Sequence, residues 1–205
     1  MKDVQLDRGR RDDDGMRLGI AHHLGWAVAV TASADHAVVD RRRIELIEPG
    51  LPNAPVHHEG GPHLLHRQGD PLEDDALAAL VAKVRASVVR ATSAALDDLA
   101  GALPESIVSM SLRAVPADFP AEIAVQRRVP YESRADSVMY LQVLAELGRD
   151  RGWAIRFYDA KQVEDEAELR LGERADEVLH GPRLTLGPPW TKDHRTALAA
   201  AVVVT

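Results

Sequence analysis

The sequence predicts an α/β domain built on a mixed five-stranded sheet, with helices on both of its faces. Three apolar strand patterns joined by short connections occupy residues 16–47, which is typical of an antiparallel meander. From Glu73 onward, helical and strand patterns alternate, and such alternation predicts parallel strands joined by right-handed crossovers. The length of 205 residues suits one domain, for which we expect the bounds 16–205.

The first strands follow a polar segment, residues 1–15, that we expect to be a disordered tail because it has too few apolar side chains to offset its ordering entropy. Leu18–Ala21 and Trp26–Val30 are short apolar runs separated by a turn-like segment that contains His22 and His23. The third strand is expected from Ala37 through Ile47. These three strands account for the predicted meander.

Residues 49–72 interrupt this pattern with five prolines and four glycines, which predicts a long loop inserted into the domain. The insertion also contains five potential metal donors, namely His57, His58, Glu59, His63 and His66. Their spacing matches no known zinc pattern. The insertion is therefore either a loop exposed to solvent or a lid that folds over a cleft.

The second half of the sheet is predicted from alternating periodicity. Apolar residues at three- and four-residue steps indicate a long helix over Glu73–Leu103. Its first turn carries acidic residues, which the positive end of the helix dipole stabilises. The strands expected after it are Ile107–Val115, an edge strand at Ile123–Val129, and Trp153–Tyr158. A helix capped by Ser133 and ended by Gly152 precedes the last of these strands. After it we expect a helix or turn over Lys161–Leu171 capped by Asp159, a short helix through Leu179, and a last helix from Lys192 capped by Thr191.

Composition excludes several classes of function. The absence of cysteine excludes disulfides, thiolate metal sites and cysteine nucleophiles. A net charge of −7 argues against a protein that coats nucleic acid or an anionic membrane over its whole surface. No apolar run approaches the roughly 20 residues that cross a bilayer, and the first residues lack the apolar stretch expected of a secretory signal. We therefore expect a cytoplasmic protein with no membrane partner.

Four short motifs occur in an order that resembles RuvC-type Holliday-junction resolvases and related ribonuclease H (RNase H)-like nucleases. The first is Leu18-Gly19-Ile20, followed after a turn by Gly25-Trp26-Ala27-Val28. The others are Arg151-Gly152 with the strand after it, the segment 172–178, and the final stretch 188–199. The resemblance covers most of residues 16–205 apart from the insertion, and it implies an RNase H-like fold.

The same resemblance implies that the ordinary active site is incomplete. Those nucleases hold two Mg²⁺ or Mn²⁺ ions with carboxylates on the first strand, the fourth strand and the last helix. Here the first-strand position is Ala21, the fourth strand carries Ser109 and Ser111, and the last helix retains Asp193 but has Thr196 at its second acid position. One carboxylate of four is too few for hard cations, so we expect no conventional two-metal catalysis.

A rebuilt site is the leading alternative. His22 and His23 follow the first strand, and His194 follows the retained Asp193. We predict that these four residues form a catalytic cluster in which His22, His23 and Asp193 bind Mn²⁺ or Zn²⁺ rather than Mg²⁺, because imidazole favours transition metals. A histidine could also serve as a general base. The simpler interpretation is a polar turn and a residue in the first turn of a helix.

Arginine clusters suggest a nucleic-acid surface. Arg41 and Arg43, which share one face of a strand, and Arg127 and Arg128 are the candidate phosphate contacts. Arginines that discourage edge pairing of strands are the other interpretation. Further candidates at element ends, where α/β sheets bind ligands, are Tyr131-Glu132, Asp159 and Trp190-Thr191-Lys192.

Two functions therefore remain open. The chain is a diverged metal-dependent nuclease or nucleic-acid-processing protein, or it is a catalytically inactive RNase H-like binding or scaffold domain. The resemblance also allows a homodimer, although the sequence contains no specific dimer signal.

Overall fold

A mixed sheet of five strands forms the centre of the protein, as predicted. The computed structural model describes residues 15–62 and 69–203. The strands are β1 (Met16–His22), β2 (Trp26–Ala32), β3 (Val38–Glu45), β4 (Ile107–Arg113) and β5 (Ala154–Tyr158). They lie in the order β3-β2-β1-β4-β5, with β1, β2 and β3 antiparallel and with β4 and β5 parallel to β1.

Helices cover both faces of this sheet. They are α1 (Asp74–Gly101), α2 (Ile123–Gln126), α3 (Glu132–Asp150), α4 (Val163–Leu171), α5 (Ala175–Leu179), α6 (Pro182–Thr185) and α7 (Lys192–Val203). A 3₁₀ turn at Gly172–Arg174 separates α4 from α5, where the sequence predicts a break. The helices α1 and α3 pack on one face, and α4, α5 and α7 pack on the other.

Side chains of β1 point alternately to the two faces of the sheet and contribute to the apolar core on each face. Leu18 and Ile20 are fully buried against α1 and α3. Ala21 points to the opposite face and packs with α7, as the two-residue period of a strand requires. Burial on both faces explains why β1 reads as an unbroken apolar run rather than as an alternating one.

The structure corrects two local predictions. Residues Ile123–Gln126 form the helical turn α2 and not an edge strand. The helix α3 has Tyr131 at its N-cap, while the Ser133 hydroxyl, already inside the helix, donates to the Pro130 carbonyl. Gly152 does follow the end of α3, and its φ of 77° explains the choice of glycine there.

The insertion is packed against the domain where the structure describes it. Val56–Gly60 forms a single π-helical turn, and Ala54 and Val56 are buried. The carboxylate of Asp136 on α3 accepts the backbone N–H groups of Val56 and His57 at 3.0 and 2.9 Å. The segment from 54 to 60 is therefore not the solvated loop that its composition suggested, whereas His63 and His66 lie outside the described residues.

The polar segment predicted as a tail also lies outside the described residues, apart from Gly15. Within the part of the chain that the structure describes, no helix combines the length and apolar character needed to cross a membrane.

Candidate active site at the carboxyl edge of the sheet

The parallel strands β1, β4 and β5 end at one edge of the sheet, which we call the carboxyl edge. His22, Arg113 and Tyr158 are the last residues of these strands. His23 follows β1, and Asp193 in the first turn of α7 reaches the same edge, because its carboxylate contacts His23. Open α/β sheets bind their ligands at this edge.

His23 and Asp193 form the centre of a layered group of side chains. His23 Nε2 lies 3.1 Å from Asp193 Oδ2. The His23 ring stacks on Trp26 with centroids 4.1 Å apart, and the Arg43 guanidinium lies 4.1 Å from the Trp26 ring centroid. We call Arg43, Trp26, His23 and Asp193 the stacked tier.

The other two predicted catalytic histidines do not join this pair. His22 points to the opposite face of the sheet, where its Nε2 lies 2.8 Å from the Ser137 hydroxyl of α3. Burial, with smaller effects of Arg113 and His23, lowers its pKa to about 4, so the ring is neutral at pH 7. His194 is buried, and its Nδ1 accepts the Thr191 N–H at 3.2 Å within the first turn of α7.

The predicted metal centre is therefore not assembled from its three ligands. Among residues 15–62 and 69–203, no group of three or more histidine, aspartate or glutamate side chains is arranged to hold a metal ion. The physical reason is the strand period, which sends His22 and His23 in different directions. His23 and Asp193 remain together, and their catalytic role stays a prediction.

A groove lies beside the stacked tier. It has a volume of about 470 Å³ and is lined by Trp26, Val28, Arg41, Arg42, Arg43, Pro189, Thr191, Asp193 and His194. The guanidinium of Arg41 donates to the carbonyls of Leu186, Gly187 and Pro189, which holds the segment before α7 against β3. We call this space the arginine-lined groove.

The four predicted phosphate contacts lie on two opposite faces of the sheet. Arg41 and Arg43 are on the α7 side. Arg127 bonds Gly60 O at 3.1 Å and pairs with Asp74 of α1, so it belongs to the α1 side, next to exposed Arg128. A continuous positive surface through all four residues is therefore not formed.

Comparisons with known proteins bear on the fold of this chain. No protein-family model and no curated protein matches the sequence. Among solved structures, the chain is similar to T. thermophilus RuvC in complex with a Holliday junction substrate, with 12% identity over 92% of this chain and 91% of that one and a TM-score of 0.51.

The fold is RNase H-like.

The metal ligands that the resemblance implies are not the residues present at those positions of this RNase H-like domain. Ala21 packs against α7, and Ser111 on β4 is 2% exposed. The Thr196 hydroxyl donates to Glu164 of α4 at 2.7 Å, so the remaining acid position is occupied by an internal hydrogen bond. The residues present do not fit a pair of divalent ions.

Sequence reasoning missed Arg113, Trp26 and Ser137 as residues of this edge. The alternation of β4 could have indicated Arg113, because Ser109, Ser111 and Arg113 share a face and only Arg113 is charged. No local signal indicates Ser137, because its contact with His22 spans 115 residues.

An apolar groove of about 270 Å³ lies elsewhere, between β4, β5 and α3. It is lined by Ala114, Val115, Leu141, Gln142, Ala145, Glu146, Arg149 and Phe157, and Phe157 is 50% exposed. It is the kind of surface that the scaffold interpretation would require.

Proposed function

We propose that this RNase H-like domain binds nucleic acid at the stacked tier and the arginine-lined groove, without two-metal catalysis. The single observation that carries the proposal is the stacked tier itself. It presents an indole at the ligand-binding edge of the sheet, with an imidazole and a guanidinium each packed on that indole.

These groups match the chemistry of a nucleic acid. Bases stack on aromatic rings and on guanidinium planes, and arginine also binds phosphate. The side chains of His23 and Arg43 are 43% and 56% exposed, so both are open to a ligand. The RuvC structure that shares this fold contains a Holliday junction substrate, which supports the same class of ligand.

The distribution of charge determines how strongly the expected binding should depend on salt. The net charge of −7 opposes binding over the whole surface, whereas Arg41 and Arg43 supply positive charge within the groove. A site with few phosphate contacts should bind single-stranded or branched nucleic acid more weakly as salt rises, with a modest slope.

The Arg43→Gln variant tests this function. We expect its Kd for a labelled oligonucleotide to rise about tenfold at low salt, because it loses a phosphate contact and a stacking surface at the groove. The measurement is fluorescence anisotropy with single-stranded and four-way-junction DNA.

Arg90→Gln is the matched control. Arg43 is an exposed arginine that pairs with Glu45 at 2.7 Å. Arg90 is likewise exposed and pairs with Glu48, but it lies on α1 on the other face of the sheet. Equal weakening by the two variants would mean that only total charge matters. An absence of binding to both DNAs at low salt would exclude the proposed function.

The His23–Asp193 pair supports a second candidate function, metal-independent hydrolysis of a phosphodiester. A histidine that contacts a carboxylate can accept a proton from water while the carboxylate orients its ring. Mn²⁺ or Zn²⁺ would find two protein donors here, fewer than the three of catalytic zinc sites, so we derive no step that uses a metal.

This second function requires cleavage of single-stranded or branched DNA in EDTA. We expect His23→Ala and Asp193→Asn to lower such cleavage about a hundredfold, whereas His58→Ala, in the turn 56–60, should leave it unchanged. Calorimetry with Mn²⁺ and Zn²⁺ should show no tight stoichiometric binding. Cleavage that depends on added metal, or no cleavage by the wild-type protein, would exclude this mechanism.

A further inference from the structure

Arg113 occupies a distinctive position at the carboxyl edge. It is the last residue of β4 and pairs in register with Tyr158 of β5. On its other side, β4 runs parallel to β1 with Gly19 opposite Ser111. The ladder between β1 and β4 ends at this pair, and Arg113 lies two residues beyond it, on the same face of β4 as Ser109 and Ser111.

The guanidinium of Arg113 is exposed at the carboxyl edge. Its side chain is exposed, and among the described residues no carboxylate forms an ion pair with it. The acid that reaches the same edge, Asp193, is already engaged by His23.

Two neighbours of Arg113, Tyr158 and His22, are neutral at pH 7. Tyr158 is buried and donates its hydroxyl to the Ile20 carbonyl at 2.8 Å. Burial raises the pKa of Tyr158 to about 12, against a smaller opposing effect of Arg113, so the phenol is neutral. His22 is neutral at pH 7 and bonds to Ser137. Tyr158 and His22 therefore do not compensate the charge of Arg113, although the charge of Asp193 also reaches Tyr158.

An unpaired guanidinium at a ligand-binding edge has a specific chemistry. Its planar fork of N–H donors matches two oxygens of a phosphate group, and such bidentate contacts are among the strongest that side chains form. Metal ions are unnecessary for this contact, because the arginine itself supplies the positive charge.

We propose that Arg113 binds a phosphate group directly at the carboxyl edge, so that the domain takes up its anionic ligand without a divalent metal. Where the phosphate belongs to DNA, this inference rests on the proposed nucleic-acid function. It adds a binding residue and a metal-independent mode of recognition to that function.

The test uses the full-length chain in EDTA with two probes, pyrophosphate and a labelled oligothymidylate. We expect pyrophosphate to raise the Tm of the wild-type protein but not that of Arg113→Gln. We also expect the variant to weaken oligothymidylate binding about tenfold and to reduce the salt slope by about one.

Arg149→Gln is the control, because Arg149 is also exposed but lies near the C-terminal end of α3, which leads to the opposite edge of the sheet. It should behave as the wild type. Because Arg113 is exposed, the Arg113→Gln variant should fold, which its Tm without ligand will verify.

The outcomes separate the two proposals. Pyrophosphate stabilisation that requires Arg113, without oligonucleotide binding, supports this inference and excludes the nucleic-acid function. Oligonucleotide binding that is unchanged in Arg113→Gln overturns this inference and leaves the function standing. Binding of either probe that appears only after Mg²⁺ is added also overturns it.

Discussion

Replacing Gly19 with alanine is expected to lower the free energy of unfolding by about 3 kcal/mol, since overpacking a buried contact forces the backbone to move. Gly19 lies in β1 where α7 crosses the sheet. A Cβ atom at this position would lie 1.7 Å from the carbonyl oxygen of Ala197 and 2.7 Å from its carbonyl carbon. Both are backbone atoms, so α7 itself must shift away from the sheet.

That shift should also affect the site, because α7 carries Asp193. We expect Gly19→Ala to weaken oligonucleotide binding as well as stability, measured by urea unfolding and by anisotropy on the same preparation. Gly101→Ala is the matched control. A Cβ at Gly101 would meet nothing within 4 Å, and alanine near the end of α1 should be neutral or stabilising by up to about 1 kcal/mol. Equal stability of the wild-type and Gly19→Ala proteins would contradict the close approach of α7 to β1.

Replacing Asp136 with alanine is expected to destabilise the protein by about 3 kcal/mol at neutral pH. The variant would leave the N–H groups of Val56 and His57 without their acceptor, and each unsatisfied buried donor costs about 1–3 kcal/mol. Asp136→Asn keeps one oxygen and should lose less. The exposed Asp150 on the same helix provides the control, for which substitution by alanine should change stability by less than about 0.5 kcal/mol.

The effect of Asp136 should depend on pH with a definite sign. Burial outweighs the two N–H bonds and raises the pKa of Asp136 from 3.8 to about 6. A carboxyl group whose pKa is higher in the folded state stabilises that state at low pH, and this contribution is lost as pH rises from about 4 to about 6. The difference in unfolding free energy between wild type and Asp136→Ala should therefore be larger at pH 4.5 than at pH 8, by up to about 3 kcal/mol.

The contribution of His22 to stability changes in the opposite direction over nearly the same pH range. Its pKa falls from 6.5 in the unfolded chain to about 4 in the folded protein, so its contribution to stability is lost as pH falls through this interval. The wild-type profile should consequently be flatter than that of Asp136→Ala, which should lose stability on acidification. Parallel profiles for the two proteins between pH 4 and pH 7 would contradict the burial of Asp136.

The sequence predicted the architecture because periodicity is a local property. The two-residue period of β3 and the three- and four-residue steps of α1 depend only on which side chains face the core. The absence of acids at Ala21, Ser111 and Thr196 was likewise readable from residue identity. Local prediction failed at Ile123–Gln126, where a short apolar run without a clear period adopts a helical turn.

Only the tertiary structure decided which of the candidate residues meet. His23 and Asp193 are 170 residues apart, and the contact forms because α7 crosses β1 at Gly19. The strand period separated His22 from His23, and the parallel register of β4 and β5 placed Arg113 opposite Tyr158. Such contacts depend on where whole strands and helices lie, and the packing of the apolar core determines those positions. The local spacing of polar residues in the sequence does not encode them.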